Sequence, residues 1–126
     1  ITNYIMEKVK MSTIQITPDQ IALIHQEATQ AAIDAATAYF NGVIDGKDQF
    51  PCGFSWVKIY DVKLSTRLGR ALAAVGFTTS YRKGIQQWNP SGLMVQNVDT
   101  KHEGSKAYAK VFQKYGFNVV AEQSWD

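Results

Sequence analysis

Apolar side chains recur along the first third of the chain at Ile21, Ile24, Ala28, Ala31, Ala35 and Phe40, with Asp19, Gln26, Gln30, Asp34 and Thr37 between them. Spacings of three to five residues keep one face of a helix apolar and leave the other to water. Thr17-Pro18-Asp19-Gln20 supplies the start, because Thr17 caps, Pro18 suits the first helical position and Gln20 reaches back in a capping box. The pattern predicts a helix to about Asn41, stopped by Gly42, with an alanine-rich face that packs closely on something flat. Val43 to Pro51, with Asp45-Gly46 inside it, reads as a turn-rich connector.

From Gly53 the period changes. Phe54 to Tyr60 is dense in aromatic and β-branched residues and predicts a first strand. Ser65 or Thr66 caps a short helix with Leu68, Ala71, Leu72 and Val75 on one face and Gly76 at its end. Phe77 to Trp88 follows as a second strand, Asn89 to Gly92 as a turn and Leu93 to Val98 as a third strand. Thr100-x-x-Glu103 reads as a capping box for a helix bearing Ala107, Tyr108, Val111 and Tyr115, stopped by Gly116. Phe117 to Trp125 is the last strand. The two halves echo each other, since Val75-Gly76-Phe77 and Tyr115-Gly116-Phe117 each run helix, glycine stop, phenylalanine, strand. Two strand-helix-strand units predict an α+β fold, a ferredoxin-like βαββαβ sandwich with an additional N-terminal amphipathic helix. In that topology the first and third strands are central and the two later helices share one sheet face.

At 126 residues, with 45% hydrophobic and 19% charged positions, the chain is the size of one domain with a real core. We expect a single α+β domain over 17–126 and a flexible leader over 1–16, within which Met11-Ser12-Thr13 offers a second translation start. No apolar run reaches the roughly 20 residues of a membrane span. The N-terminal stretch lacks the regions of a secretory signal, and one cysteine, Cys52, forms no internal disulfide. These features predict a cytoplasmic location and no membrane partner. The net charge of +2 is modest, but Lys58, Lys63, Arg67, Arg70, Arg82 and Lys83 stand against Asp61 alone between positions 58 and 83, which makes that segment anion-seeking.

Candidate chemistry follows from the strand pattern. Alternation puts Phe54, Trp56, Lys58 and Tyr60 on one side of the first strand and Ser55, Val57 and Ile59 on the other. With the aliphatic side on the helices, the aromatic side is the open face, extended on the second strand by Tyr81 and Arg82. Aromatics interleaved with cations on an open sheet stack bases and attract phosphates. The plainer reading is that the N-terminal helix or a second copy of the chain covers that face. Trp88-Asn89-Pro90-Ser91-Gly92 joins an aromatic, an amide and a hydroxyl in one turn, as a small-ligand pocket requires, though turn chemistry explains the same residues. Gln96 and Asn97 belong to the same region. Asp99, His102 and Glu103 cluster at a helix start without metal-site spacing, and the structural reading is preferred there. His25 shows no partner in sequence. Gly69, Gly76 and Gly84 match no phosphate-loop or dinucleotide fingerprint, so no cofactor is expected.

Cys52-Gly53-Phe54-Ser55-Trp56-Val57, Thr66-Arg67-Leu68-Gly69 with Ala71-Leu72, Gly76-Phe77, Trp88-Asn89-Pro90-Ser91-Gly92 and Gln96-Asn97-Val98-Asp99 together resemble a family of small bacteriophage-encoded proteins. The resemblance runs from Cys52 to the C-terminus, although the Glu122-Gln123-Ser124-Trp125-Asp126 ending differs from the Ser-Arg-Leu-Asp type of the group. It implies a protein of the infected bacterial cytoplasm and carries no site residues, the family having no established activity. The reading favoured is an accessory binding protein, expected to be a homo-oligomer, that engages single-stranded nucleic acid or a nucleotide through the aromatic and basic face. A small-molecule enzyme with its site at an oligomer interface, such as a phage lyase acting on S-adenosylmethionine, is the alternative by fold analogy alone. A structural or host-protein-interaction role is the third.

Overall fold

The computed structural model describes residues 16–80 and 82–125. The expected leader lies outside them except for Ile16, which packs against the core. In chain order the elements are α1 (Pro18–Gly42), β1 (Gly53–Ile59), α2 (Arg67–Ala74), β2 (Thr78–Thr79), β3 (Ile85–Trp88), α3 (Val98–Lys114) and β4 (Val119–Trp125). The fold is α+β, three helices on a four-stranded sheet of order β2-β3-β1-β4 in which every neighbouring pair is antiparallel. No helix among the described residues is long and apolar enough to cross a membrane.

Three local expectations are corrected. The run from Phe77 to Trp88 is not one strand but a hairpin: Ser80 N–H donates to the Gly84 carbonyl, the Arg82 amide donates to Ser80 Oγ, and Gly84 takes φ 91°. The third strand is therefore Ile85–Trp88. Leu93 to Val98 forms no strand and meets the sheet only through the Cys52–Asn97 bridge, because the Asp48 carboxylate takes the Gln96 and Asn97 amides at 2.8 to 3.0 Å. The last helix begins earlier than expected, capped by Asn97 rather than Thr100. Asn97 Oδ1 accepts from both the amide and the hydroxyl of Thr100 at 2.8 Å, satisfying a helix-end donor of the kind that otherwise faces the core unpaired.

α1 starts as expected, with Thr17 and Gln20 exchanging bonds, but Gly42 is its last helical residue and not a left-handed stop, the chain continuing to Val43 at φ −96°. Its buried stripe is Ile21, Ile24, Ala28, Ala32 and Ala36, so the apolar row keeps a strict four-residue step past Ala28 where Ala31 and Ala35 were expected. This stripe packs mainly on α3 and partly on α2. The contact with α3 is close: a methyl group added at Gly104 would stand 3.3 Å from the Ala32 carbonyl oxygen. Between the helices and the inner face of β1 lies an aromatic core in which Tyr108 stacks on Phe112 at 5.0 Å and Phe77 and Phe117 meet Phe112 edge-on at 5.9 and 5.2 Å. Tyr108 is fully buried and its hydroxyl bonds His25 Nδ1 of α1 at 2.7 Å, which is the partner His25 lacked in sequence. At the far end Glu27 of α1 holds both Lys114 and the Tyr115 hydroxyl.

α2 depends on a close backbone approach. A Cβ at Gly69 would lie 1.9 Å from the Lys63 carbonyl oxygen and 2.6 Å from Leu64 Cα, and neither backbone atom moves without breaking the Thr66 cap that bonds both Lys63 O and Gly69 N. Gly69→Ala is expected to destabilise the fold by about 3 kcal/mol, the upper range for overpacking. A urea-denaturation midpoint unchanged from wild type would contradict this account.

Candidate functional site

The alternation along β1 settles which way the aromatics point. Ser55, Val57 and Ile59 are buried toward the helices, and Phe54 and Trp56 face the other side of the sheet. The register extends this outer face across the strands. Trp56 pairs with Trp88 on β3 and Glu122 on β4, Lys58 with Gln86 and Val120, and Phe54 with Ser124. Trp56 and Trp88 are 4.7 Å apart between ring centroids at 50°, and Phe54 meets Trp88 edge-on at 6.2 Å. Phe54 and Trp88 are each about half exposed. α1 lies on the helix side, and among the described residues no element packs over the aromatic face.

The basic character expected of this face is much reduced. Lys58 is 7% exposed, and its ammonium is 3.4 Å from Glu122 Oε1, which also accepts the Trp56 indole N–H at 2.9 Å. Glu122 thus neutralises Lys58 on the outer face beside the two indoles. Tyr60 follows the end of β1, its ring 5.9 Å from the Lys58 ammonium. Arg82 stands in the exposed hairpin turn instead of on a strand, and Tyr81 lies outside the described residues.

At the end of this face, where β3 leaves the sheet, the chain from Asn89 to Gln96 swings away and returns to bond Gly53 through the Gln96 carbonyl. The gap between β1 and that loop is a cleft of about 350 Å³, lined mostly by apolar groups including Phe54, Trp88, Leu93 and Met94, with Lys101 of α3 in its wall. Of the expected ligand residues, Asn89 lines the cleft while Ser91 and Asn97 stand behind it, and all three have their polar groups engaged within the protein. Asn89, at φ 43°, donates its amide to the Leu93 carbonyl and accepts from Ser91 Oγ, while the Leu93 amide donates to Ser91 Oγ. Asn97 is the α3 cap, with its amide donating to the Gln49 carbonyl. Gln96 is exposed at the rim.

Two residues of this region were not among the expected ligand residues. Lys101 is 8% exposed, with the Phe54 ring 5.4 Å from its ammonium. Ser55, 1% exposed, has its hydroxyl 2.8 Å from Ser105 Oγ, 2.8 Å from the Glu122 carbonyl and 3.1 Å from His102 Nδ1. A buried hydroxyl with three partners ties β1, α3 and β4 together and is not presented as a nucleophile. His102 sits below its ordinary pKa, first through burial and then through Lys106, against the opposing pull of Glu103 and Asp99. Among the described residues no group of three His, Cys, Asp or Glu side chains is placed to hold a metal ion.

No protein-family model, curated protein or solved structure matches the chain.

Two predictions follow from these contacts. Glu122→Ala leaves the buried Lys58 charge without a counter-ion and is expected to cost about 2 kcal/mol, discounted from a fully buried pair because Glu122 is partly exposed. Lys58→Met is expected to stay within about 1 kcal/mol of wild type. Equal losses in both variants by urea denaturation would refute the ion-pair account. Burial also lowers the His25 pKa, so both histidines bind fewer protons folded than unfolded. Their contribution is complete above the ordinary value of 6.5 and is lost as pH falls through and below it. The denaturation midpoint should drop between about pH 7.5 and about pH 5.5, and drop less in His25→Gln; a flat profile in wild type contradicts it.

Proposed function

We propose that this protein is a small binding module that takes an unstacked nucleobase, from a nucleotide or a single strand, on the outer face formed by Trp56, Trp88 and Phe54. The observation that carries the reading is the uncovered aromatic cluster itself, two indoles 4.7 Å apart with a phenyl ring edge-on to one of them. Contiguous apolar surface of this kind marks a binding site rather than ordinary exposure, and aromatic side chains on an open sheet stack bases of any sequence. Trp88 is the stronger shelf, being half exposed, whereas the Trp56 ring is held by Glu122.

The module is proposed to be ferredoxin-like. The strand order with β1 and β3 central, the antiparallel pairing of all neighbours and the two strand-helix-strand halves support this arrangement. Its origin as a phage accessory protein rests on the sequence resemblance from Cys52 onward.

Because Glu122 cancels Lys58, binding should depend on stacking more than on phosphate neutralisation, giving a shallow salt dependence where a basic platform gives a steep one. The test is anisotropy of short labelled single-stranded DNA and RNA, together with quenching of the native tryptophans. Binding is expected, with Trp88→Ala weakening it about tenfold, the worth of one stacked base. Absence of binding at low salt overturns the reading. Sedimentation of the same variants separates the other use of such a face: if Trp88→Ala dissociates an oligomer, the cluster is a subunit interface.

A further inference from the structure

Two lysines of this domain are buried to the same degree, and only one of them has a counter-ion. Lys58, 7% exposed, has Glu122 at 3.4 Å. The Lys101 side chain is mostly buried along its stem, while its ammonium is not sealed from solvent, forms no ion pair or hydrogen bond with any described residue and has the Phe54 ring at 5.4 Å. Removing an ammonium group from water is unfavourable unless an acceptor replaces the lost hydration, and an aromatic face supplies only part of that.

The position of Lys101 makes the imbalance greater. It is four residues beyond the Asn97 cap of α3, near the positive end of the helix, where a cation is disfavoured. The space for an anion exists: Lys101 lines the cleft of about 350 Å³ beside Phe54 and Trp88, and none of the residues lining that cleft is acidic. A volume of this order suits a small organic ligand more than a lone inorganic ion. Phe54 touches both parts, meeting Trp88 at 6.2 Å and the Lys101 ammonium at 5.4 Å.

Building on the base-shelf reading above, we infer that the cleft is an anion subsite in which Lys101 receives one phosphate of a nucleotide whose base lies on Trp88. The second buried lysine shows what the first lacks. The ligand supplies to Lys101 what Glu122 supplies to Lys58. With one cation and an apolar wall, the subsite favours a monophosphate, or the phosphorylated end of a strand, over an extended polyanion.

The experiment compares adenosine, adenosine monophosphate and inorganic phosphate as probes, read by tryptophan quenching and thermal shift, in wild type, Lys101→Met and Trp88→Ala. In wild type the monophosphate should bind at least about tenfold more tightly than the nucleoside, the difference one charge-assisted contact makes. Lys101→Met should remove that preference, keep nucleoside affinity and leave the protein folded, since it replaces a mostly buried side chain without an ion-pair partner by one of similar apolar volume. Equal binding of nucleoside and monophosphate by wild type, or a preference that survives in Lys101→Met, overturns the subsite while leaving the base shelf standing. Stabilisation by inorganic phosphate that depends on Lys101, with no purine binding, supports the subsite and overturns the shelf. No response to any probe overturns both.

Discussion

Ala28, Ala32 and Ala36 present nothing longer than a methyl group to α3, and at the crossing Gly104 presents no side chain at all. Helix axes approach closely only where both surfaces are this small, and the approach fixes where α1 lies. Once seated, it is pinned by the His25–Tyr108 bond in the aromatic core and by Glu27 on Lys114 and Tyr115. The core then includes Ile21 and Ile24 with Leu72, Phe77 and the inner face of β1. All three helices are thereby committed to one side of the sheet, and the outer face is left without a covering element among the described residues. A bulkier residue at 32 or 104 would force α1 outward and unmake the layer that keeps the two indoles on a free surface.

The outer face is tuned by one carboxylate. Glu122 accepts the Trp56 indole N–H and pairs with Lys58, so it orients an aromatic ring and cancels a cation at once. A sheet face that reads as aromatic and basic along β1 becomes aromatic and locally neutral when β4 is laid beside it. Charge is displaced to two places: the exposed hairpin turn with Arg82 and Lys83, and the cleft with Lys101. A polyanion lying along the strands would find little to hold its phosphates, whereas a ligand with one charge and one ring finds both within the cleft and its rim.

Local features were legible in the sequence because local physics decides them. The Thr17 capping box, the stops at Gly76 and Gly116 and the inward alternation of Ser55, Val57 and Ile59 each follow from neighbours in the chain. What escaped was set by contacts far apart in sequence. The amides of Gln96 and Asn97 belong to Asp48, so Leu93 to Val98 cannot complete the ladder its β-branched residues suggest, and Asn97 becomes a helix cap in place of Thr100. The hairpin was hidden because its turn lies between two short stretches, Phe77 to Thr79 and Ile85 to Trp88, that together have the length of one strand. Nothing beside Lys101 in the sequence marks it, and the return of the loop after Trp88 brings it into the wall of the cleft.

The shape of the cleft argues for a site held ready rather than one formed on contact. Its wall is anchored at both ends by side chains whose polar groups are occupied within the protein. Asn89 and Ser91 lock the turn after β3 through three hydrogen bonds, and Asp48 fixes the return at Gln96 and Asn97. Between these anchors Leu93, Met94 and Val95 offer apolar surface, Met94 96% exposed. Fixed ends lower the ordering cost of binding, and a methionine at the lip adapts to ligands of different outline. The anchors leave the lysine as the one charged group in the wall, so under the proposed reading the wall would select by ring and single charge instead of by a hydrogen-bond pattern, and would discriminate phosphorylated from unphosphorylated ligands more sharply than one base from another.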